Sequence, residues 1–487
     1  MKIYPFTEEY DKKSEDFKVY VSGDEVGVYS CDVSAYPFNR VWGGTQRDIK
    51  QTEKASFVML GSDTSVTLEI VPTYEFENVV VRPLSRGVQY SVKDGKIEAT
   101  FPGCGQYSVE LDDMHKPLIV FINPEKDYNI DKNDANVMYF GKGVHTIDER
   151  IELSDNQIVF IDEGAVLYGS INASCKKNIK VVGYGILDNS KMKRANEING
   201  CAILAPDVGK DTGNPIFFDR CENVEIDGVT IVNSSGWNIY LDGCCDITVN
   251  NIKLIGQWRY NADGCDFCNC TNGTIKNSFL RNFDDCITVK GFKLNNKLPV
   301  ENILAENCVL WCDWGKALEV GAETCAPYIK DIVFRDCDII HGSNIMMDIA
   351  QGDGADIDGV TFEDIRLEYS GDEMVGAIQR EEDAEYPNFG KVSVPKPLNI
   401  LTGVTMWSID DYCGNLKNVR FKDIKISAYD GISFEGCKIK PDEKYGKISG
   451  ISFENITING RKCDFSELGT EIYDGVEDVT YDGSAVK

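Results

Sequence analysis

The chain has 487 residues, of which 50 are Lys or Arg and 79 are Asp or Glu, so its formal net charge is −29. Hydrophobic residues make up 42% and charged residues 26%, proportions typical of a soluble protein with a packed core. Nucleic-acid binders and peripheral membrane proteins need a basic surface, which so acidic a chain does not favour. We therefore expect no nucleic-acid partner and no membrane partner.

The N-terminal segment MKIYPFTEEYDKKSEDFKVYV lacks the basic and apolar regions of a signal peptide, and no apolar run approaches the ~18 residues that span a bilayer. The 18 cysteines are scattered, which without an export signal is typical of buried thiols in a reducing compartment. A zinc site at Cys265, Cys268 and Cys270 is disfavoured, because the spacing is irregular and the chain has 3 histidines. We expect a cytoplasmic protein without a metal or another cofactor.

Residues 15 to 125 contain short alternating segments such as DFKVYVSG, SVTLEIVP and QYSVELDD. Gly, Pro, Asp and Asn separate these segments at intervals of roughly 8–12 residues, a pattern typical of antiparallel strands in a β-sandwich. No stretch shows a sustained helical period. The sequence therefore predicts an N-terminal β-sandwich domain over residues 1–128.

A repeat begins after about residue 135. Its copies share an alternating apolar strand, a polar or glycine corner and a second short strand. The copies begin at Asn178, Asn223, Asp246, Asn272, Asn302, Asp331, Gly359, Asn418 and Gly450. Such a unit cannot bury its apolar face alone, so it must stack on its neighbours. Because the shortest steps are 23 and 26 residues and no helical half is present, we predict an all-β fold with a right-handed parallel β-helix over residues 129–487.

Two segments depart from these patterns. The copies at Gly359 and Asn418 are 59 residues apart, so we expect an insertion or a poorly matching coil around EEDAEYPNFGKVSVPKP. The segment from Ser34 to Arg47 is rich in aromatic residues, Arg and Gly. It is either a loop that reaches a binding cleft or a contact between the two domains.

Four polar residues in two consecutive coils carry the clearest chemical signal. Asn261 and Asp263 lie in WRYNADGCD, and Asp284 and Asp285 lie in RNFDDCITVKG. Asp263 and Asp284 are 21 residues apart, close to one coil, so we expect them to lie one above the other. Neighbouring carboxylates raise each other's pKa, which a structural site avoids. Successive side chains of a strand point to opposite faces, so aiming both Asp284 and Asp285 into one groove requires a local bend.

Two or three carboxyl groups around one groove suit the cleavage of a glycosidic bond. One group stays protonated and protonates the leaving oxygen, while another activates water or attacks carbon. The alternative is that these Asp and Asn residues cap turns at the corners of the β-helix through side-chain hydrogen bonds. Their clustering in two consecutive coils favours catalysis.

The stretches NADGCDF and FDDCITVKG resemble the NTDG(x)D and DDC(x)(x)(x)K(S)G stretches of glycoside hydrolase family 28, the polygalacturonases, and of the related family 49, dextranases and isopullulanase. The resemblance covers most of residues 135–460, and a β-sandwich before the β-helix is more like family 49. It implies an inverting hydrolase in which Asp284 is the general acid and Asp263 and Asp285 hold the nucleophilic water. Inverting enzymes place their acid and base carboxylates roughly 6.5–9.5 Å apart.

The chain departs from the polygalacturonases in the coils that follow. In place of their Gly-His-Gly and Arg-Ile-Lys segments it has WGKALEVGAE and MMDIAQGDG. These two segments carry four acidic residues, Glu319, Glu323, Asp348 and Asp353. Such acids either line the cleft, where they repel polygalacturonate, or lie on a solvated outer face. Because Lys290 and Lys316 are the only nearby cations in the sequence, we expect a neutral glycan, with an α-glucan of the dextran or pullulan type favoured.

Aromatic side chains are expected near the substrate, because sugars stack their apolar C–H faces on rings. The candidate substrate-binding residues are Asn261, Lys290, Trp258, Tyr260, Trp311, Trp314, Lys316 and Glu319. Packing inside or between coils is the alternative for each aromatic residue.

Three other functions stay open from the sequence. The first is a divergent polygalacturonase whose loops supply basic residues. The second is a β-helix lyase or fructotransferase, in which the Asp cluster binds Ca²⁺ through hard oxygen ligands. The third is a non-catalytic glycan-binding β-helix, in which Asp284→Asn would leave sugar affinity intact. The linkage that is cleaved, endo or exo action and the oligomeric state are not predicted.

Overall fold

A computed structural model describes residues 1–35, 52–193, 213–371 and 394–487 of the chain. These residues form two N-terminal sheets followed by three long, mainly parallel sheets. The predicted fold class, a right-handed parallel β-helix preceded by a β-sandwich, is confirmed. No helix in these four ranges has the length and apolar composition that crossing a bilayer requires.

The two unusual segments of the sequence lie largely outside the described residues. Only Ser34 and Ala35 of the aromatic-rich segment belong to them, and the predicted insertion is described from residue 394 onward. The structure therefore leaves open whether the aromatic-rich segment reaches the cleft or joins the domains.

The N-terminal region is a sandwich of two sheets. The six-stranded sheet consists of Lys2–Ile3, Val28–Ser34, Thr52–Gly61, Val79–Arg82, Gly105–Leu111 and Leu118–Asn123. The five-stranded sheet consists of Phe17–Val21, Asp24–Val26, Val66–Pro72, Gln89–Lys93 and Lys96–Phe101. Alternating apolar side chains of both sheets, such as Val19, Leu68 and Val120, form the core between them.

One strand pair of the sandwich differs from the antiparallel arrangement that the sequence predicts. The strands Thr52–Gly61 and Leu118–Asn123 run parallel, with Ser56 opposite Leu118. A parallel pair needs a long crossover connection, and here the intervening chain forms three strands of the five-stranded sheet and two strands of the six-stranded sheet, Val79–Arg82 and Gly105–Leu111. The short turns visible in the sequence indicate hairpins but do not reveal this crossover.

Three sheets, named here sheets I, II and III, build the β-helix. Sheet I consists of Val137–Phe140, Ile158–Ile161, Lys177–Val182, Glu222–Asp227, Cys245–Asn250, Thr271–Lys276, Val300–Glu306, Tyr328–Arg335, Asp356–Glu363, Leu416–Lys422, Ile448–Glu454, Val476–Tyr481 and Ser484–Ala485. Sheet II consists of Gly143–Thr146, Ala165–Tyr168, Ile186–Asp188, Thr230–Val232, Lys253–Gln257, Phe279–Asn282, Val309–Cys312, Asp338–His341, Arg366–Tyr369, Lys425–Ala428, Thr457–Ile458 and Arg461–Lys462. Sheet III consists of Ile151–Glu152, Ile171–Ser174, Ile216–Asp219, Ile239–Asp242, Cys265–Cys268, Ile287–Gly291, Lys316–Thr324, Ile345–Gln351, Lys396–Thr402, Cys437–Lys440 and Thr470–Ile472. Three short 3₁₀ helices are present among the described residues, Leu84–Arg86, Lys293–Asn295 and Phe465–Leu468.

Each coil contributes one strand to each of the three sheets. In the coil whose copy begins at Asn223, the two predicted strands are Glu222–Asp227 in sheet I and Thr230–Val232 in sheet II. The third strand, Ile239–Asp242 in sheet III, lies between two sequence copies. The alignment of copies misses this strand, because the connections around it differ in length from coil to coil.

The first residue of each aligned copy turns the chain through a left-handed backbone conformation. The φ angle is 54° at Asn272, 58° at Asn302 and 82° at Gly359. Glycine adopts such angles freely, and Asn and Asp tolerate them because their short side chains can form local hydrogen bonds. The Asn272 Nδ2 donates to Asp246 Oδ1 at 3.0 Å, and Asn302 Nδ2 donates to Asn272 Oδ1 at 2.9 Å. The repeated Asn, Asp or Gly therefore reflects a backbone requirement of the coil.

Replacement of Asn272 by Ala is expected to lower the thermal unfolding midpoint more than replacement by Gly. Both variants lose the side-chain hydrogen bonds, but only Ala places a Cβ in the left-handed conformation, at a cost of about 1 kcal/mol. The midpoint followed by circular dichroism is the measurement. Equal midpoints for Asn272→Ala and Asn272→Gly would contradict the assignment.

The sandwich packs its six-stranded sheet on the outer face of sheet II. Phe57 and Phe121 from the sandwich share one buried apolar cluster with Phe279 and Trp311 from sheet II. The ring centroids of Phe121 and Phe279 are 5.3 Å apart. Sheet II is thus covered over several coils, which leaves the face of sheet III for a binding site.

A buried network of charged side chains joins the sandwich to the β-helix. Arg82 donates through Nε to Glu110 Oε2 at 2.9 Å and through Nη1 to Glu368 Oε2 at 2.5 Å. The His341 Nε2 lies 2.9 Å from Glu110 Oε1. Burial alone would raise the pKa of Glu110, but His341 and Arg82 outweigh burial and lower this pKa to about 2. Removal of one member would leave a buried charge without its partner.

The contribution of Glu110 to stability is expected to disappear in acid. Its folded-state pKa of about 2 lies below the ordinary value of 4.5, so the contribution is complete above pH 4.5 and is lost as the pH falls toward 2. The measurement is the difference in thermal midpoint between the wild-type chain and Glu110→Gln across this range. Glu25→Gln, on the exposed surface of the sandwich, is the control. A difference that stays constant with pH would refute the role of Glu110.

Candidate active site

The predicted acidic residues lie where sheet II leads into sheet III. Asp263 precedes the strand Cys265–Cys268, and Asp284 and Asp285 precede Ile287–Gly291. The chain bends at Asp284, which agrees with the bend that the sequence requires for two adjacent acids in one groove. All three carboxyl groups line one pocket.

The strand register makes Asp285, rather than Asp284, the neighbour of Asp263. Cys265 pairs with Ile287, and Gly264 N donates to Asp285 O at 2.7 Å. The repeat distance in this part of sheet III is therefore one residue longer than the separation of Asp263 and Asp284. The expectation that Asp263 and Asp284 lie one above the other is therefore wrong by one residue. Asp285 takes that place, because the bend displaces Asp284 from the register.

The pocket is narrow, with a volume of about 80 Å³. Four predicted substrate-binding residues, Asn261, Lys290, Trp314 and Lys316, line it together with the three Asp residues. The other described lining residues are Trp237, Ala322, Glu323 and Trp407. The structure thus brings together groups from coils that are far apart in the sequence.

Lys290 holds two of the buried carboxyl groups. Its Nζ donates to Asp263 Oδ2 at 2.9 Å and lies 3.1 Å from Asp266 Oδ1. Thr288 Oγ1 also donates to Asp266 Oδ1, at 2.6 Å. Burial disfavours the charged form of Lys290, but Asp263 and Asp266 raise its pKa well above the usual value. The charge of Lys290 is therefore engaged within the protein, and Asp266 was not among the residues predicted for the site.

Lys316 keeps Asp285 ionised. The Lys316 backbone N donates to Asp285 Oδ1 at 2.8 Å, and its Nζ lies 3.5 Å from the same oxygen and 3.1 Å from Glu319 Oε1. Burial would raise the pKa of Asp285, but Lys316 and its other neighbours outweigh burial and lower this pKa. An ionised carboxylate in this position can accept a proton from water.

Asp284 has the opposite electrostatic character. Burial and the charge of Asp285 raise the pKa of Asp284 to about 7, against the opposing effects of Lys316 and Lys290. The Asp285 backbone N donates to Asp284 Oδ1 at 3.1 Å. Two adjacent carboxyl groups therefore have pKa values on opposite sides of the ordinary value. Such a division is how one site obtains both a general acid and a general base.

Too many carboxyl groups are buried around this pocket for all of them to be ionised. Two lysines, Lys290 and Lys316, lie among seven buried carboxyl groups, those of Asp263, Asp266, Asp284, Asp285, Glu319, Glu323 and Asp348. Burial raises the pKa of Glu319 well above its usual range, and it raises that of Asp348 to about 6. Burial also raises the pKa of Asp263 well above its usual range. Glu319 and Asp263 are therefore the groups that most favour the protonated form.

The four acids of the two departing segments are all buried, so the solvated outer face suggested by the sequence is wrong. Glu323 lines the pocket. Glu319, a predicted substrate-binding residue, pairs in register with Thr288 and Asp348 and is 0% exposed. It lies beneath the pocket wall and supports Lys316, so its predicted contact with substrate is corrected.

Asp353 has a different role from the other three acids. Its Oδ1 accepts hydrogen bonds from the backbone N–H groups of Ile409 at 2.5 Å and of Asp410 at 2.7 Å. Its Oδ2 accepts one from Thr324 N at 2.8 Å. Asp353 therefore fastens the loop that follows Lys396–Thr402 onto sheet III, instead of facing the substrate.

Comparison with known proteins finds likenesses to glycoside hydrolases. Residues 146–388 match the model of glycosyl hydrolases family 28. Probable exopolygalacturonase B from Aspergillus terreus is 24% identical over 233 residues, which cover 44% of this chain and 51% of that protein. Probable exopolygalacturonase B from Neosartorya fischeri is 26% identical over 180 residues, 34% of this chain and 37% of that protein. The chain thus spans about half, or less, of the length of these curated relatives.

A solved structure extends the likeness to the N-terminal region. Dex49A from Penicillium minioluteum has a TM-score of 0.66 at 15% identity, and the alignment covers 99% of this chain and 96% of that chain. The chain is thus similar in sequence to glycosyl hydrolases family 28 and in fold to Dex49A. The likeness in structure concerns the fold, including the sandwich that precedes the β-helix.

Two of the predicted aromatic residues, Trp314 and Tyr260, pack on Phe283. Trp314 lines the pocket, and its ring stacks on Phe283 at a centroid distance of 5.5 Å. Tyr260 packs edge-on against Phe283 at 5.2 Å. Tyr260 and Trp258 are buried and are not among the described residues that line the pocket. Their predicted contact with sugar is corrected in favour of packing.

Trp311 belongs to the interface with the sandwich. It is 0% exposed, its ring centroid is 4.2 Å from that of His341, and the guanidinium carbon of Arg281 lies 3.8 Å from its ring centroid. Because Trp311 is on sheet II and faces outward, it packs against the six-stranded sheet. Its predicted role in substrate binding is wrong.

Two tryptophans of the pocket were missed by the sequence analysis. Trp237 comes from the coil before Asp263, and the Lys290 Nζ lies 4.1 Å from its ring centroid. Trp407 comes from the loop after Lys396–Thr402. Neither residue is in a recognisable motif. The one sequence feature that points to them is that five of the six tryptophans of the chain fall in the β-helix.

Replacement of Gly315 by Ala is expected to abolish most of the activity while the fold is retained. A Cβ at this position would lie 2.4 Å from Asp285 Oδ1 and 2.7 Å from Asp284 Oδ1, so both carboxyl groups would have to move. Displacements of this size in a catalytic site reduce rates by about 100-fold. The initial rate of glycan hydrolysis is the measurement, with the thermal midpoint as the control for folding. Wild-type rates in a folded Gly315→Ala chain would contradict the assigned position of the acids.

Proposed function

We propose that the protein is an inverting glycoside hydrolase that cleaves a neutral poly- or oligosaccharide. The observation that carries the proposal is the pair formed by Asp284 and Asp285 in one pocket. The pKa of Asp284 is raised to about 7 and that of Asp285 is lowered, so one carboxyl group holds a proton while its neighbour is ionised. A glycosidase needs these two states at the same pH.

In the proposed reaction, the Asp284 carboxyl group gives its proton to the glycosidic oxygen as the bond between this oxygen and the anomeric carbon breaks. A water molecule held by Asp285 and Asp263 attacks the anomeric carbon from the opposite face. The water gives one proton to Asp285, and its oxygen forms the new bond with inverted configuration. Lys316 orients Asp285, and Lys290 orients Asp263.

The cations of the pocket support a neutral substrate. The described lining of the pocket contains two cationic side chains, Lys290 and Lys316. Both form ion pairs with buried carboxyl groups of the protein. Glu323 adds a further acidic group to the wall. A uronate carboxylate in this pocket would meet negative charge without a free cation. An α-glucan of the dextran or pullulan type is the favoured substrate.

Hydrolysis of galacturonan is the second candidate function. The relatives named exopolygalacturonase favour it, because they match in sequence, whereas the likeness to Dex49A is structural. One difference disfavours galacturonan hydrolysis. The segment WGKALEVGAE, which contains Lys316, stands where the polygalacturonases have Gly-His-Gly. A non-catalytic glycan-binding protein is distinguished by the absence of turnover. The cytoplasmic location stays a prediction from the sequence.

A substrate panel tests the proposal directly. We expect release of reducing sugar from dextran or pullulan, and a loss of about 10²–10⁴-fold in rate in Asp284→Asn because the general acid is removed. Asp246→Asn, at an exposed left-handed corner of sheet I, is the matched control and keeps the wild-type rate. Release from polygalacturonate alone would favour the second candidate. Release that survives in Asp284→Asn would refute the assigned acid.

The rate is expected to fall as the pH rises through about 7. The pKa of Asp284 is about 7, so the protonated form that can protonate the leaving oxygen is lost above this pH. The measurement is kcat/KM against pH on the cleaved glycan, with folding followed over the same range. A rate that stays constant from pH 6 to pH 9 would show that Asp284 is not the acid, because at least tenfold inactivation is expected over this interval.

A further inference from the structure

A second cavity, of about 690 Å³, lies farther along the face formed by sheet III. The ends of the strands Ile345–Gln351, Lys396–Thr402 and Cys437–Lys440 contribute to its wall. The loop after Lys396–Thr402 and the turn 440–445 complete it. Its volume falls within the range of about 300–1,000 Å³ that small-molecule sites occupy. None of the catalytic groups of the first pocket lines this cavity.

The two cavities share the loop 403–411 as a wall. Val404 and Thr405 line the second cavity, and Trp407 lines the catalytic pocket. The register of Asp285 continues through Lys316 and Ile345 to Lys396, three strand steps or about 14 Å away. Thr402 lies six residues farther along its strand, which adds about 20 Å in the strand direction. An extended glycan chain bound at the catalytic acids reaches the second cavity when it spans about 25 Å.

The shared loop is held in place by hydrogen bonds to sheet III. Asp353 accepts the backbone N–H groups of Ile409 and Asp410. Ser408 Oγ donates to Gly352 O at 2.6 Å. A wall that is fixed before binding reduces the entropy lost when a ligand is bound.

The surface of the second cavity has the chemistry of a sugar-binding site. Val404 lines the cavity and is 48% exposed. Met406 and Tyr412, which lie beside the cavity and not in its described lining, are 75% and 47% exposed. The rings of Tyr412 and Tyr445 are 6.4 Å apart. Tyr445 lines the cavity and is half-buried, and the Lys444 Nζ lies 4.6 Å from its ring centroid. A tyrosine ring at a cavity wall can stack on the apolar face of a sugar.

The charges around the second cavity favour a neutral ligand. Two lysines, Lys440 and Lys444, and three acids, Asp411, Asp442 and Glu443, line it. Asp442 is engaged by the backbone N–H groups of Lys444 and Tyr445 at 2.8 and 2.9 Å, which shapes the turn. With no excess of positive charge, the wall offers a polyanionic chain no net attraction.

We propose that this cavity is a second saccharide-binding site, which holds a neutral segment of the same glycan chain that is cleaved at Asp284. The inference rests on the proposed function, which it deepens by assigning a binding site for the distal part of the substrate. The strand end at Thr402, the shared loop and the turn at Tyr445 all lie beyond residues 146–388, the part of the chain that matches the family model.

The test measures binding and hydrolysis of isomalto- and malto-oligosaccharides, from disaccharide to octasaccharide, by Tyr445→Ala. Titration calorimetry in an Asp284→Asn background gives the affinity, and the otherwise unaltered chain gives KM and kcat. We expect Tyr445→Ala to weaken binding of the longest oligosaccharides about tenfold and to raise their KM, with binding of the shortest ones unchanged. Tyr445→Phe, which keeps the ring, retains most of the affinity. Tyr328→Ala removes an exposed tyrosine of sheet I and is the control.

The outcomes separate this inference from the proposed function. An effect of Tyr445→Ala that is equal at all lengths, or no effect, overturns the second site even if the glycans are hydrolysed. Length-dependent binding that is lost in Tyr445→Ala supports the site even if no glycan is hydrolysed. Failure of the chain to bind any neutral oligosaccharide, or a preference for galacturonate oligomers, overturns the assignment to a neutral ligand.

Discussion

The active site depends on one constraint, the spacing of about 4.8 Å between parallel strands of sheet III. This spacing fixes how close side chains from successive coils must lie, whatever their charge. Asp263, Asp285 and Lys316 follow one another at the same corner of three successive coils. Acidic groups held so close, and shielded from water, cannot all lose their protons. The proton that a glycosidase needs for its leaving group is therefore provided by the geometry of the coil.

The two lysines decide which carboxyl groups keep their protons. Lys316 lies at Asp285 and favours its ionised form, while Asp284 has neither lysine as a direct hydrogen-bond partner among the described contacts and retains a proton near neutral pH. Lys290 lies at Asp263 and Asp266 and lowers the pKa of both, but burial outweighs it and the pKa of each stays raised. Both cations are thus engaged with carboxyl groups of the protein. This use of the cations agrees with a substrate that carries no charge.

Local requirements of the chain were predictable from the sequence, whereas contacts between distant segments were not. The repeat of Asn, Asp and Gly reports a backbone angle, and the bend at Asp284 follows from two adjacent acids that face one groove. Trp311 resembles a sugar-binding residue in sequence, but whether a ring faces a cleft or the sandwich depends on which sheet carries it. Trp407 reaches the pocket from a loop more than a hundred residues beyond the acids, and no local pattern reports such a contact. The burial of Glu319 and Asp348 could not be predicted either, because it also depends on contacts between distant segments.

The covered outer face of sheet II has a consequence for dissecting the protein. A fragment that began after residue 128 would carry Phe279 and Trp311 to the solvent, together with Glu368 deprived of its guanidinium partner Arg82. Such a fragment would retain every acid of the pocket. It would also expose a large apolar surface and leave the Glu368 carboxylate without its ion-pair partner. The sandwich therefore covers the apolar outer face of sheet II and keeps it from water. Fragments that contain the pocket are best produced with the sandwich attached.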